Sequence, residues 1–191
     1  MPQAPAVSPS PDNYTIGKGI AYIAELTADV PGPFTDLGNC PRFEYELTEE
    51  TLPHDSSRYK VKEEDADITI KTGYSLSMVL DEISSKNMQL FLRGSLVNTT
   101  RILAMKDLAK RYAIKFVSDN SSGPDYVVQF HKVKLTPNGA FSLIGDDFTT
   151  LSFTGKGLAN RVSHPESPFF DHAFVLPTTT TTTSTTTTTA G

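Results

Sequence analysis

Two Gly-Lys-Gly triplets, Gly17-Lys18-Gly19 and Gly155-Lys156-Gly157, place a lysine between glycines as a phosphate-cradling loop does. Neither has the upstream glycine at P-loop spacing, and neither lysine is followed by Ser or Thr, so no phosphate site is read from them. Gly145-Asp146-Asp147 sets two carboxylates side by side. Some magnesium sites begin this way, but Gly-Asp-Asp is also the composition of a turn between strands, and the turn is the reading adopted. The four histidines, His54, His131, His164 and His172, are dispersed. His164 and His172 sit in a Pro-rich stretch without the i, i+4 spacing of a helical zinc pair. No serine lies in a Gly-x-Ser-x-Gly elbow, and the single Cys40 has no histidine near it in sequence. The expectation is a chain that is not an enzyme, with no catalytic, metal or cofactor-binding residue.

Composition narrows the classes further. A chain of 191 residues can hold one domain with a hydrophobic core once its two ends are set aside. Its 38% apolar and 20% charged content fits a soluble globular protein, and no run approaches the roughly 18 apolar residues of a membrane span. One cysteine excludes an internal disulfide framework, and Cys40 is read as a small buried hydrophobe. A formal charge of −5 disfavours a large basic footprint for nucleic acid. Met1 to Pro11 carry neither a basic start nor an apolar stretch, so no secretory signal is expected and the cytoplasm is the default place of synthesis.

The elements that would hold any site are mostly strands. Residues 1–15, with Pro2, Pro5, Pro9 and Pro11, read as an extended N-terminal arm, and 177–191, almost pure threonine, as a solvated tail. Between them, 16–176 form the domain. Ile20 to Leu26 is a first strand ended by Val30-Pro31-Gly32-Pro33. In Arg42 to Thr48, Phe43, Tyr45 and Leu47 alternate with charged residues. From Ile68 to Leu80 the even positions are largely apolar and the odd ones polar, the strongest strand pattern in the chain. Residues 49–67, rich in both signs of charge, read as a long loop at the tip of a hairpin spanning 42–80. Connections longer than about 12–15 residues are uncommon in compact domains without a functional reason.

Helix is scarce. Ser84 or Ser85 can cap a short helix running to Leu92 and stopped by Gly94, and a second is suggested by the spacing of Ile102, Met105, Leu108, Ala109 and Tyr112. Strands return at Ala113 to Ser118, Tyr126 to Leu135, Ala140 to Ile144 and Leu151 to Leu158, with Asn138-Gly139 as a tight hairpin turn. The fold expected is a mainly β sandwich or barrel with one flanking short helix and a protruding hairpin loop.

Three segments resemble a known family in their order and spacing: Asp36-Leu37-Gly38-Asn39, Phe43-Glu44-Tyr45-Glu46-Leu47-Thr48 and Leu52-Pro53-His54-Asp55-Ser56-Ser57. Later segments continue the match, among them Leu80-Asp81-Glu82-Ile83-Ser84, Asn87-Met88-Gln89-Leu90-Phe91-Leu92, Val133-Lys134-Leu135-Thr136-Pro137 and Gly155-Lys156-Gly157-Leu158-Ala159. Over roughly residues 16 to 160 the chain resembles the major tail tube proteins of long-tailed, siphophage-type bacteriophages. That resemblance implies a β-sandwich or barrel subunit, six copies closing into a ring, and rings stacking into a hollow tube through which double-stranded DNA leaves the capsid without specific binding. It implies a virion location, assembly in the host cytoplasm, no membrane, and tape measure, tail tip and terminator proteins as partners beside copies of the chain itself.

Under this resemblance the hairpin has two expected roles. If Phe43, Tyr45, Leu47, Ile68, Ile70, Leu76 and Met78 face the subunit core, then Arg42, Glu44, Glu46, Thr69, Lys71, Ser75 and Ser77 face the channel. The tip residues Glu49, Glu50, Asp55, Arg58, Lys60, Lys62, Glu63, Glu64 and Asp65 become contacts to the next ring, where mixed charge sets register and orientation. A sheathless tail is favoured, with the threonine tail on the outer surface. Asn13-Tyr14-Thr15, Asn98-Thr99-Thr100 and Asn120-Ser121-Ser122 match the glycosylation pattern, and with the threonine tail they support the alternative of an extracellular β-sandwich adhesion or glycoprotein module. A small metal hydrolase built on Asp146 and Asp147 would need further ligands that the sequence does not place nearby.

Overall fold

The computed structural model of the chain describes residue 9 and residues 13–58, 60–98 and 100–175. Most of the expected N-terminal arm and the whole threonine tail lie outside the described residues. The chain is mainly β. Three strands open it, β1 (Gly19–Thr27), β2 (Val30–Pro31) and β3 (Thr35–Asp36), followed by the long pair β4 (Arg42–Ser56) and β5 (Glu63–Leu80). The short helix α1 (Ser85–Phe91) leads to a small hairpin, β6 (Ser95–Val97) and β7 (Arg101–Leu103). Then come β8 (Tyr112–Ser118), β9 (Asp125–Pro137), β10 (Leu151–Gly157) and β11 (Phe170–Val175).

The main sheet is antiparallel and ordered β2-β1-β8-β9-β10-β5-β4, with β3 beside β1 and β11 beside β9. Strand β9 organises it. One edge pairs with β8, while the other takes β11 along Asp125–Phe130 and β10 along Val133–Pro137. The sheet curls so that the end strand β4 comes against β8. Phe43 on β4 stacks on Phe116 of β8, ring centroids 5.6 Å apart and planes 7° from parallel, although β9, β10 and β5 lie between these strands in hydrogen-bonding order.

Alternation decides which face is inside the curl. Tyr74, Leu76, Met78 and Leu80 of β5 are buried every second residue, as are Leu151 and Phe153 of β10. Burial of a side chain of this size contributes roughly 1.5–3 kcal/mol each. Phe130, fully buried, contacts the rings of Phe43, Tyr45, Tyr74 and Phe170. At the other end α1 closes the core with Phe91 edge-on to Phe153 at 5.8 Å. Ser84 caps this helix by accepting from the Asn87 N–H at 3.2 Å. The buried Asn87 side chain in turn donates to the carbonyls of Leu37 and Glu82, tying the helix to the loop before β4. Among the described residues no helix is long and apolar enough to cross a membrane.

Several expectations are corrected. Residues 49–67 are not one loop: 49–56 and 63–67 extend the two strands and leave only 57–62 as the connection. The helical spacing of Ile102 to Tyr112 is coincidental, because β7, a series of turns and the start of β8 occupy it and Met105 and Leu108 are exposed. Ala140 to Ile144 is not a strand. Asn138-Gly139 does not make a tight hairpin but opens a long irregular connection, 138–150, between the paired strands β9 and β10. Cys40 is only half-buried, its thiol donating to the Arg42 carbonyl at 3.3 Å, and burial raises its pKa.

Candidate functional site

The feature that the core does not account for is the outer part of the β4–β5 hairpin. Strand β10 pairs with β5 only along Ser75–Leu80, so 47–56 and 63–74 pair with one another and with nothing else among the described residues. At about 3.3 Å per residue this two-stranded ribbon projects roughly 30 Å. Its base is anchored by Phe43 and Tyr45, whose rings reach Phe116, Phe130 and Phe170. Beyond that point the apolar positions are uncovered. Leu47, Leu52, Ile68 and Ile70 are 66%, 57%, 59% and 56% exposed. The expectation that Leu47, Ile68 and Ile70 face the subunit's own core is therefore corrected: the alternation is real, but no part of the described chain reaches them.

Two register shifts shape the ribbon. Glu50 opposes Lys71 while Thr51 opposes Thr69, leaving Ile70 as the extra residue of a bulge. A second shift, between His54 and Asp55, leaves Asp65 without an opposite residue. Bulges bend a strand, add right-handed twist and re-aim side chains. Here the second turns Asp65 onto His54, Oδ1 to Nδ1 at 2.6 Å, which raises the His54 pKa through the hydrogen bond and the adjacent negative charge.

The charged tip residues are exposed and in part paired within the ribbon. Glu49 accepts from the Thr69 hydroxyl, Glu50 meets Lys71 at 2.9 Å, and Asp55 lies 3.8 Å from Lys62. Glu49 and Glu50 belong to β4, Glu63, Glu64 and Asp65 to β5, and Arg58, Lys60 and Lys62 to the connection. The channel-facing candidates divide into two groups. Arg42, Glu44, Glu46, Ser75 and Ser77 lie on the outer face of the sheet body, whereas Lys71 and Thr69 lie on the projecting ribbon, Thr69 beyond the first bulge. Arg42 and Glu44 form an ion pair at 2.7 Å that raises the guanidinium pKa and lowers that of the carboxyl.

Register extends that outer face to residues that sequence reasoning missed. One row runs Glu44, Ser77, Thr154, Thr136, and the next runs Glu46, Ser75, Lys156, Lys134. The two glutamates thus share a polar face with two lysines, and the Gly-Lys-Gly around Lys156 has a packing cause. A Cβ at Gly157 would lie 2.2 Å from the Tyr74 ring, and one at Gly155 would lie 2.5 Å from Leu76. Gly19 of the other triplet is equally close to the Val117 carbonyl oxygen. Both triplets are places where a neighbouring strand or ring presses on the backbone.

A second uncovered apolar surface was also missed. In the 138–150 connection Leu143, Ile144 and Phe148 are 86%, 95% and 97% exposed. The neighbouring Asp146 and Asp147 are exposed bends of this connection. Asn120, in one of the glycosylation patterns, has its amide engaged: Nδ2 donates to the Pro124 carbonyl at 2.9 Å and Oδ1 accepts from the Lys18 N–H. Two of the dispersed histidines do meet, His131 stacking on His164 at 3.6 Å beside Asp171.

A curled, mainly β domain with one short helix and a long bare ribbon is the class that the fold and surface define. A family model described as a protein of unknown function matches residues 14–107, which include the whole hairpin. The sequence matches no curated protein. Among solved structures the chain is similar to one from the "Virion of native gene transfer agent (GTA) particle", at 11% identity and a TM-score of 0.38, over 82% of this chain and 95% of that one. A likeness at that level does not define function.

Proposed function

We propose that this protein is a structural, non-enzymatic virion subunit that self-assembles into stacked, hexameric rings forming the tail tube of a long-tailed bacteriophage, the conduit for DNA ejection. The observation that carries the reading is the β4–β5 ribbon, which among the described residues extends past its own sheet with both backbone edges open and with Leu47, Leu52, Ile68 and Ile70 exposed. Open edges and uncovered apolar side chains are what a monomer avoids and an assembling subunit needs. The sequence resemblance to tail tube proteins supplies the geometry of that assembly.

A ring closes through heterologous contacts, in which one surface of a subunit meets a different surface of the next. The ribbon and the Leu143-Ile144-Phe148 connection are two such surfaces, and burying both against copies of the chain removes the exposed apolar area. In a stacked tube the charged tip reaches the adjacent ring, where Arg58, Lys60, Lys62, Glu63 and Glu64 select register. The outer face carrying Glu44, Glu46, Lys134 and Lys156 lines the lumen, and its balance of charge lets a polyanion pass without the counterion release that would hold it. Tape measure, tail tip and terminator proteins would cap and fill such a tube. Deleting residues 52–64 tests the reading: the variant keeps the far-ultraviolet circular dichroism of a β protein and forms no tubes. Tubes of normal length from the deletion variant would overturn it.

A further inference from the structure

The geometry points to a divalent cation site formed by His131, His164 and Asp171, one that takes a borderline first-row ion such as Zn²⁺ and ties the 158–171 segment to the middle of β9. The three side chains come from separate places. His131 lies on β9, Asp171 on β11, and His164 in the turn that follows Asn160. Each offers a donor atom within 4.8 Å of the other two.

His131 is placed by a bulge. Tyr112 opposes Val133 and Ile114 opposes Phe130, so β9 spends two residues, His131 and Lys132, against the one residue Ala113 of β8. Alternation breaks there, and Phe130 and His131 are buried in succession. The His131 backbone N–H is satisfied by the Phe169 carbonyl at 3.1 Å, but its side chain is not. The ring is fully buried, and Nε2, although 3.3 Å from Asp171 Oδ2, is not aligned for a hydrogen bond. Neither ring nitrogen has a hydrogen-bond partner among the described residues. Buried polar atoms are nearly always satisfied, and a buried imidazole with two free nitrogens beside a second imidazole and a carboxylate is the arrangement that a cation completes.

The turn that carries His164 is itself held in place. Asn160 is buried, its Nδ2 donates to the Asp29 carbonyl at 2.9 Å, its N–H donates to the Pro168 carbonyl, and its own carbonyl accepts from the His164 N–H at 3.0 Å. His164 therefore approaches His131 from a fixed backbone. Its ring stacks 3.6 Å from that of His131, planes 11° from parallel. To share one ion at bonds of about 2.0–2.2 Å, one ring turns out of the stack so that its donor nitrogen converges with that of the other. Two imidazoles and a carboxylate suit zinc, cobalt and nickel better than magnesium or calcium, which prefer all-oxygen shells. Asp171 is exposed, so the cluster opens to solvent on that side.

Untagged full-length protein, dialysed against Zn²⁺ and counted by mass spectrometry of the metal, should hold about one ion per chain. Co²⁺ in its place should give the visible absorption of a tetrahedral nitrogen and oxygen site. His164→Ala and Asp171→Asn alter groups outside the core and should each weaken binding at least about tenfold while keeping the wild-type circular dichroism. His54→Ala, at the ribbon's separate imidazole–carboxylate pair, should bind as wild type. Absence of bound ion in the wild type, or unchanged binding in both His164→Ala and Asp171→Asn, would overturn the site. Tube formation can fail without affecting this result, since binding is counted per chain.

Discussion

Leu52 stands opposite Ile68 across the β4–β5 ribbon, two apolar side chains paired with each other and more than half exposed to solvent. In the proposed assembly this pair is the centre of a contact between subunits.

Replacing both by glutamate should therefore separate folding from assembly. Both positions lie away from the core, so Leu52→Glu with Ile68→Glu should keep the wild-type far-ultraviolet circular dichroism. Sedimentation velocity should then report single chains where the wild type sediments as large particles. The same outcome is expected of Ile144→Ser with Phe148→Ser in the second exposed surface.

Gly157 allows the opposite test, since it bears on the core alone. With the Tyr74 ring 2.2 Å from where a Cβ would stand, Gly157→Ala forces the ring or the strand aside. Overpacking of this kind costs about 1–3 kcal/mol, which denaturant unfolding of an assembly-deficient background would measure.

At the ribbon tip His54 and Asp65 give a pH dependence of defined sign. The carboxylate raises the folded His54 pKa above the ordinary 6.5, so the stabilising contribution is whole below about 6.5 and is lost as pH rises through the higher folded value. Proton NMR of the imidazole should show the raised titration, and Asp65→Asn should return it to the ordinary range.

The outer polar face makes a separate claim. Glu44→Lys with Glu46→Lys would leave Lys134 and Lys156 without their acidic neighbours on that face. Tubes should still form, but they should retain double-stranded DNA at low salt and release it as salt rises, where wild-type tubes retain none. In infection, ejection should be impaired.

What the sequence disclosed follows from where a buried face imposes a period. Residues 74–80 and 43–45 pack on the core, so their alternation was legible, as was the Ser84 cap of α1. Residues 49–56 and 63–67 form strands with no buried face, so charge and turn-like composition hid them as a loop. The reverse error came from Leu143 and Ile144, apolar and therefore read as a strand, though they stand in solvent. Strand β11 escaped notice because its residues beyond Phe170 are exposed and carry no alternation. That Lys134 and Lys156 share a face with Glu44 and Glu46 was not legible because only strand pairing joins them, and His131 meets His164 only because a bulge turns it.

Negative-stain electron microscopy of the purified full-length chain, at concentrations rising into the milligram per millilitre range, tests the central claim most directly. The account predicts rings of uniform diameter and stacked tubes with a stain-filled channel. Monodisperse single-domain particles at every concentration would contradict it.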